Sequence, residues 1–319
     1  MSPARGLPPS LFGYIWKTSA RHQAVLAALS IIVFILSAAP LELQRRIVND
    51  AIGRGATGAI IGLAIAYAAV ALAEGAVKLV MNVYRGWVSE RAVLRLRRSI
   101  GALTAHAASS RNRAAAEGVE ISMILTEAEP IGGFIGVSVS EPLLQGGILV
   151  SVFGYLVYLE PWLALLSFLV FSPQLVFVPL LQSAINRRAS QRIQTLRTVS
   201  GGIVGASGVS AAEAQDGHLH RVFTLNMGIF KLKFTMNFLM NLMHHLGVAV
   251  ALGVGGWYAA QGRIEVGTVV AFVSGLDKVN DPWGDVVNWF REMTVVDMRY
   301  RMVAEAMQWL EQGAAPAAA

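Results

Sequence analysis

The residues that could do chemistry lie on three otherwise apolar stretches of the chain. The first carries Ser274, Asp277, Asp281, Asp285, Asn288 and Glu292. At 100° per residue these six fall within about 80° of one another on a helix. Leu276, Val279, Trp283, Val286, Val287 and Phe290 take the other faces, and Lys278 and Arg291 flank the stripe. A carboxylate facing lipid at mid-bilayer costs roughly 2.5–3.5 kcal/mol, so three on one stripe must face water or partners. Two readings are open. The stripe is the acidic wall of a translocation cavity suited to cationic or amphipathic cargo, or it is the solvated face of a helix that leaves the membrane early.

The second stretch places Glu74, Lys78, Asn82, Arg85 and Ser89 on one helical face, with Glu74 and Lys78 as an intramembrane ion pair in the favourable (i, i+4) order. That pair either ties the bundle internally or makes Glu74 a proton- or ion-coupling site. The third puts Asn237, Asn241, His244 and His245 on one broad face. Two histidines without a carboxylate or third ligand at metal spacing predict no metal site, and cavity lining or interhelical hydrogen bonding fits them better. Met236, Met240 and Met243 nearby are either an adaptable cargo surface or plain packing. No catalytic residue is predicted: there is no paired acid and base, no nucleophile–histidine arrangement and no phosphate-cradling loop. The chain has no cysteine, which excludes thiolate chemistry, disulfides and Cys-ligated metals.

The elements that hold these residues follow from composition. Of 319 residues 55% are hydrophobic and 14% charged, and the mean hydropathy is +0.53. A soluble domain has roughly 25% charged residues, so a soluble enzyme and a disordered chain are both excluded. Apolar runs cover 23–41, about 56–81, 141–160, 160–187 and 234–261, and a sixth begins near Val266. The first five reach the ~17–25 residues a membrane helix needs. The expectation is an all-α membrane protein with six transmembrane helices. The first run follows Arg5, Lys17 and Arg21 and ends in Ser37, Ala38 and Ala39, a loose imitation of a cleaved leader; its length and the five later spans argue that it is retained.

Basic residues set the orientation. Arg85, Arg91, Arg95, Arg97, Arg98, Arg111 and Arg113 crowd between spans two and three; Arg187, Arg188, Arg192, Arg197, Arg221, Lys231 and Lys233 crowd between spans four and five. The opposite side is short and nearly balanced, so both termini are expected in the cytoplasm. The basic segments read as membrane helices prolonged into water, because 83–109 is rich in helix formers and lacks proline. They form two cytoplasmic hairpins, about 83–130 and 184–233. Gly201, Gly202, Gly205 and Gly208 are expected to break the second before a helix resumes near Ala211. The basic hairpins lack interleaved aromatics and predict no nucleic-acid partner.

Four stretches carry a resemblance. Pro40-Leu41-Glu42-Leu43 through Ile47-Val48-Asn49-Asp50-Ala51-Ile52 comes first, then Leu94-Arg95-Leu96-Arg97-Arg98. Leu159-Glu160-Pro161-Trp162-Leu163-Ala164-Leu165-Leu166, ending at Ser172-Pro173, is the third. The most specific is Gly255-Gly256-Trp257-Tyr258 with Gly262-Arg263-Ile264-Glu265-Val266-Gly267-Thr268-Val269-Val270-Ala271-Phe272 and Pro282. In number and order these resemble the transmembrane domain of an exporter-type (type IV) ABC transporter, over about residues 10 to 310. The match places a cytoplasmic N-terminal segment at 1–22, the six-helix domain at 23–305 and a linker-like tail at 306–319.

The resemblance implies coupling helices at the hairpin tips, with Gly118, Glu120 and Leu125 in the first and Gly205, Gly208 and Glu213 in the second. The family's aromatic residue before the first coupling helix is missing around Ser109 to Asn112. The 319 residues contain no Gly-rich phosphate loop ending in Lys and Ser or Thr. The resemblance therefore implies a homodimer or heterodimer of such domains in membrane lipid, with ATP and Mg²⁺ handled by a separate ATP-binding subunit. Two rivals remain: an ion-gradient-driven transporter of the same fold, and a scaffold or regulatory subunit that moves nothing.

Overall fold

The structure is a computed structural model that describes residues 7–52, 57–107, 127–205 and 209–312. Among the described residues it is helical throughout, without strands: α1 (Leu11–Arg46), a π-helical segment (Ile47–Ile52), α2 (Thr57–Ala107), α3 (Ala128–Val137), α4 (Ser140–Leu159), α5 (Pro161–Phe171), α6 (Gln174–Gly205), α7 (Val209–Ala260) and α8 (Val266–Gln312).

The helix boundaries have local causes. The Ser10 hydroxyl caps α1 by accepting from the Gly13 amide at 3.1 Å. Arg45 and Arg46 close its last turn, where cations offset the exposed carbonyls. Pro161 opens α5 after an extended Glu160, a position where a missing N–H costs nothing. Pro173 separates α5 from α6, since its ring cannot continue the ladder of the preceding turn. Gly262, with φ of +69°, ends α7. Its amide donates to the Ala259 carbonyl and the Arg263 amide to the Tyr258 carbonyl, both at 2.9 Å. That pair of bonds needs a left-handed residue, which glycine supplies without strain.

Of the four glycines expected to interrupt the second hairpin, Gly201 and Gly202 lie within α6, which ends at Gly205, and the next helix begins at Val209, close to the expected resumption near Ala211. A glycine inside a helix costs about 1 kcal/mol relative to alanine, too little to end one that is otherwise favoured.

The chain forms two compact units: residues 1–155 with 281–319, and residues 156–280. In the first, α1 and α2 are antiparallel, with Ser30 near Met81 and Gln44 near Tyr67. The α3–α4 segment runs parallel to α1: Gln23 Nε2 donates to the Ile135 carbonyl at 2.7 Å, and Ser30 Oγ to the Ser140 carbonyl at 3.1 Å. The core of this unit gathers Leu26, Met81, Leu96, Ile135, Tyr300 and Met307 among others. Tyr300 is fully buried, and its hydroxyl donates to the Pro8 carbonyl at 2.7 Å. Burial pushes its phenol above the usual tyrosine range, so it stays a neutral donor at any physiological pH.

In the second unit α6 and α7 form an antiparallel hairpin. Arg188 Nη1 donates to the Gly228 carbonyl at 2.9 Å and Arg192 Nη1 to Asn226 Oδ1 at 3.2 Å. A Cβ at Gly247 would stand 2.8 Å from the Phe171 ring, and one at Gly255 would stand 3.2 Å from Leu163, so α5 and α7 are also antiparallel and close.

Among the described residues five segments are long and apolar enough to cross a membrane: Leu11–Asp50, Gly58–Ala102, Ala128–Leu159, Pro161–Leu196 and Asp216–Ala260. α8 starts where the sixth was expected. Its Asp277, Lys278, Asp281 and Asp285 leave it short of the same apolar composition.

The tightest helix contact is between α2 and α3, where Gly132 and Gly136 are one turn apart. A Cβ on Gly132 would lie 2.8 Å from the Val93 amide nitrogen, and one on Gly136 would lie 2.6 Å from the Arg85 carbonyl. Backbones, unlike side chains, cannot step aside, so small residues here let the helices touch, as membrane helices do where lipid offers no hydrophobic drive. Gly136→Ala should therefore destabilise the protein by about 1–3 kcal/mol. Gly133→Ala, where a Cβ meets nothing within 4 Å, should be near neutral. Thermal unfolding of both variants in one detergent checks the contrast.

Candidate functional site

The first unit buries a charge among its membrane helices. Arg85 lies on α2, one residue in from an exposed stretch, and is 9% exposed. Such burial requires a counter-charge. α4 supplies it in its first turn: Arg85 Nη1 meets Glu141 Oε2 at 2.6 Å. Glu141 and Gln145 are (i, i+4) on α4, so their side chains stack along one face. Gln145 Nε2 donates to Glu141 Oε1 at 2.8 Å and to Asp285 Oδ2 on α8 at 3.0 Å. One chain of polar contacts thus links α2, α4 and α8. Lys78, two turns before Arg85 on α2, and Asp281, one turn before Asp285 on α8, both lie within Coulombic reach of Asp285. Three carboxylates thus gather around two cations, and the neutral Gln145 amide stands between Glu141 and Asp285.

The network leaves something over. Arg85 Nε and Nη2 are buried with no hydrogen-bond partner. A guanidinium has five donors in a planar fork, and Glu141 engages only one of its nitrogens. The arrangement holds no nucleophile and no general base poised on a reacting atom. It can fix three helices in one relative setting, while two of the Arg85 nitrogens stay without an acceptor.

In the second unit His244 Nε2 lies 3.0 Å from Asp277 Oδ1, joining α7 to the first part of α8. The His244 ring meets that of His245 edge-on at 5.3 Å. His244 Nδ1 is buried without a partner. Among the described residues no three His, Cys, Asp or Glu side chains converge as a metal site would need.

Of the residues the sequence singled out, Asp285 joins the network, the exposed Lys78 lies within Coulombic reach of it, and Asp277 and His244 form their own pair. Asp281 is exposed and Ser274 half-buried on α8. Asn237 and Asn241 are exposed on α7, and Glu74 is half-buried one turn before Lys78. Gly205 is the last residue of α6 and Glu213 lies near the start of α7. Gly118, Glu120, Leu125 and Gly208, and with them the first hairpin tip, lie outside the described residues. Glu141 and Gln145 are the members of this network that do not stand out in the sequence. The signal was present: a lone carboxylate at the head of an otherwise uncharged span calls for a partner, and Gln145 is one turn on.

Residues 24–204, from α1 into the last turn of α6, match the family profile of the ABC transporter transmembrane region. No curated protein matches the chain.

Glu141→Gln should destabilise the protein by about 3–5 kcal/mol, because it leaves Arg85 charged, buried and unanswered. Replacing both, with Arg85→Met and Glu141→Met, should cost well under the sum of the single changes. A double-mutant cycle by reversible unfolding in detergent measures both. Additive costs would mean that the two side chains do not form a coupled pair.

Proposed function

Because the chain belongs to the ABC transporter transmembrane region family, we propose that it is the membrane subunit of an exporter. Its ATP hydrolysis is supplied by a separate nucleotide-binding subunit, and it works paired with a second transmembrane subunit, itself or a paralogue. The observation that carries this reading is the length of two helices. α2 has 51 residues and α7 has 52, about 76–78 Å at 1.5 Å per residue, against a hydrocarbon layer of ~30 Å. Each joins an apolar half to a basic one, so each serves as a lever between the membrane and a docking surface in water. The basic ends face the cytoplasm on this reading, with both termini on the same side.

The energy of ATP binding enters at the hairpin tips and leaves through the helices as a change in their packing. The Arg85–Glu141–Gln145–Asp285 chain is the contact such a change must rework, since it alone ties α2, α4 and α8 through charge among the described residues. The acidic stripe of α8 selects the cargo. Asp277 and Asp281 are exposed and negative, which favours cationic or amphipathic molecules over anions.

Gentle purification from the native membrane should recover a stoichiometric partner that carries a phosphate loop, identified by mass spectrometry. A clean preparation with no ATPase would sink the reading. With that complex in vesicles, replacing residues 118–125 by a flexible segment should abolish transport while the protein still inserts. Asp281→Asn should weaken the apparent affinity for a lipophilic cation such as tetraphenylphosphonium by roughly fivefold, the effect of about 1 kcal/mol of lost attraction. ATPase stimulation by that cation gives the number.

A further inference from the structure

Away from the buried network, α1 and α2 build an ordered cluster at the basic end of their spans. Tyr84, Trp87, Arg91 and Arg95 recur every three or four residues on one stripe of α2 and meet Thr18 and His22 of α1. His22 Nδ1 lies 2.7 Å from the Tyr84 hydroxyl. The Tyr84 and Trp87 rings stack at 5.7 Å and 13°, and the His22 ring meets Trp87 edge-on at 5.2 Å. The Arg91 guanidinium carbon sits 4.8 Å over the Trp87 ring, and Arg95 Nη1 is fixed by the Thr18 carbonyl at 2.7 Å. Trp87 and Arg91 are nevertheless exposed. Neither Arg91 nor Arg95 meets a carboxylate among the described residues.

An exposed tryptophan held rigid on three sides, with an unpaired arginine on its face, is a costly arrangement in water. It suits the membrane interface, where the amphipathic indole sits at headgroup level and arginine finds phosphate. Order along α2 supports the same placing. Val83 and Val80 lie one and two turns before Trp87 on its stripe and are 66% and 57% exposed. Arg98 follows Arg95 on the other side. Apolar, aromatic and cationic residues thus succeed each other over 80–91, a rise of about 16 Å, which is the order of acyl chain, glycerol and phosphate in one lipid. The surrounding charges are Lys17, Arg21 and Arg98 against Glu90, a net positive field. The pocket between the two helices, lined by Thr18, Ser19, His22, Arg91 and Arg95 among others, is about 10 Å³. That is room for one water, so a phosphate would lie over its mouth.

We propose that Trp87, Arg91 and Arg95, braced by His22 and Tyr84, form a binding site for the headgroup of one anionic phospholipid, whose acyl chain lies along Val83 and Val80. That the lipid belongs to the cytoplasmic leaflet rests on the orientation proposed above; the headgroup chemistry does not. The test is therefore made without sides, on the full chain purified in mild detergent and offered phosphatidylglycerol or phosphatidylcholine, with bound lipid counted by native mass spectrometry. The protein should retain one phosphatidylglycerol in preference to phosphatidylcholine. Arg91→Gln, at an exposed position, should lower that occupancy about tenfold, the loss of one charge-assisted contact. Trp87→Ala should lower it and Trp87→Phe should largely restore it. Arg301→Gln, an equal loss of charge on α8, should change nothing. Equal retention of the two lipids, or undiminished occupancy in Arg91→Gln, overturns the proposal. Displacement of the lipid by millimolar inorganic phosphate also overturns it, by making this a site for the free anion.

Discussion

An arginine withdrawn from water between apolar helices must be answered where it stands, and at Arg85 two demands meet in one residue. Its side chain requires Glu141, and its backbone carbonyl is the atom that Gly136 approaches. The first demand is electrostatic and sets which residue of α4 faces α2. The second is steric and sets how near α3 comes. Because both act at one position, α2 cannot slide or rotate against α3 and α4 without losing an ion pair and a close backbone contact together. The ion pair and the close approach are therefore kept or lost together. Gln145 then passes the constraint to α8 through Asp285.

The second unit is held differently. Its helices close on glycines under aromatic and aliphatic side chains, with arginine bonds to the backbone along the α6–α7 hairpin. The α7–α8 connection, a tight glycine turn, leaves Arg263 over the Trp257 and Tyr258 rings. The half-buried His244 reaches outward to the exposed Asp277. A bundle of this kind tolerates sliding better than one pinned by a desolvated ion pair, since apolar contacts are exchangeable and non-directional.

The sequence spoke clearly wherever a local rule decided the outcome. Pro161 opens α5, the run beginning at Val266 opens α8, and the helix-forming stretch after Met81 carries α2 out to Ala107. These depend on propensity and on the number of apolar residues in a row, and neighbours along the chain suffice to judge them. Asp285 and His244 were also legible, because a polar group on an apolar helix advertises itself. Their partners were not. Glu141 is 56 residues from Arg85 and Gln145 is 140 from Asp285, and helical periodicity is silent at that range. The glycine pair at 132 and 136 was visible as spacing, yet only the opposing Val93 and Arg85 backbones explain it. The glycines at 201, 202, 205 and 208 mark the region where α6 gives way to α7, but their spacing alone does not say that the helix ends at Gly205.

One bond in the first unit bears on time rather than strength. Pro8 accepts from Tyr300 across 292 positions, and the residues beside Pro8, Leu11 and Ile15, are wholly covered within the core that contains Tyr300. A ribosome releases the acceptor 292 residues before the donor. Over that interval the opening turn of α1 has emerged without the surface that will cover it. That turn must wait on lipid or on a chaperone, because transiently exposed apolar surface invites aggregation. The first unit therefore closes only once residue 300 has been made, which ties the packing of α1 to the synthesis of α8.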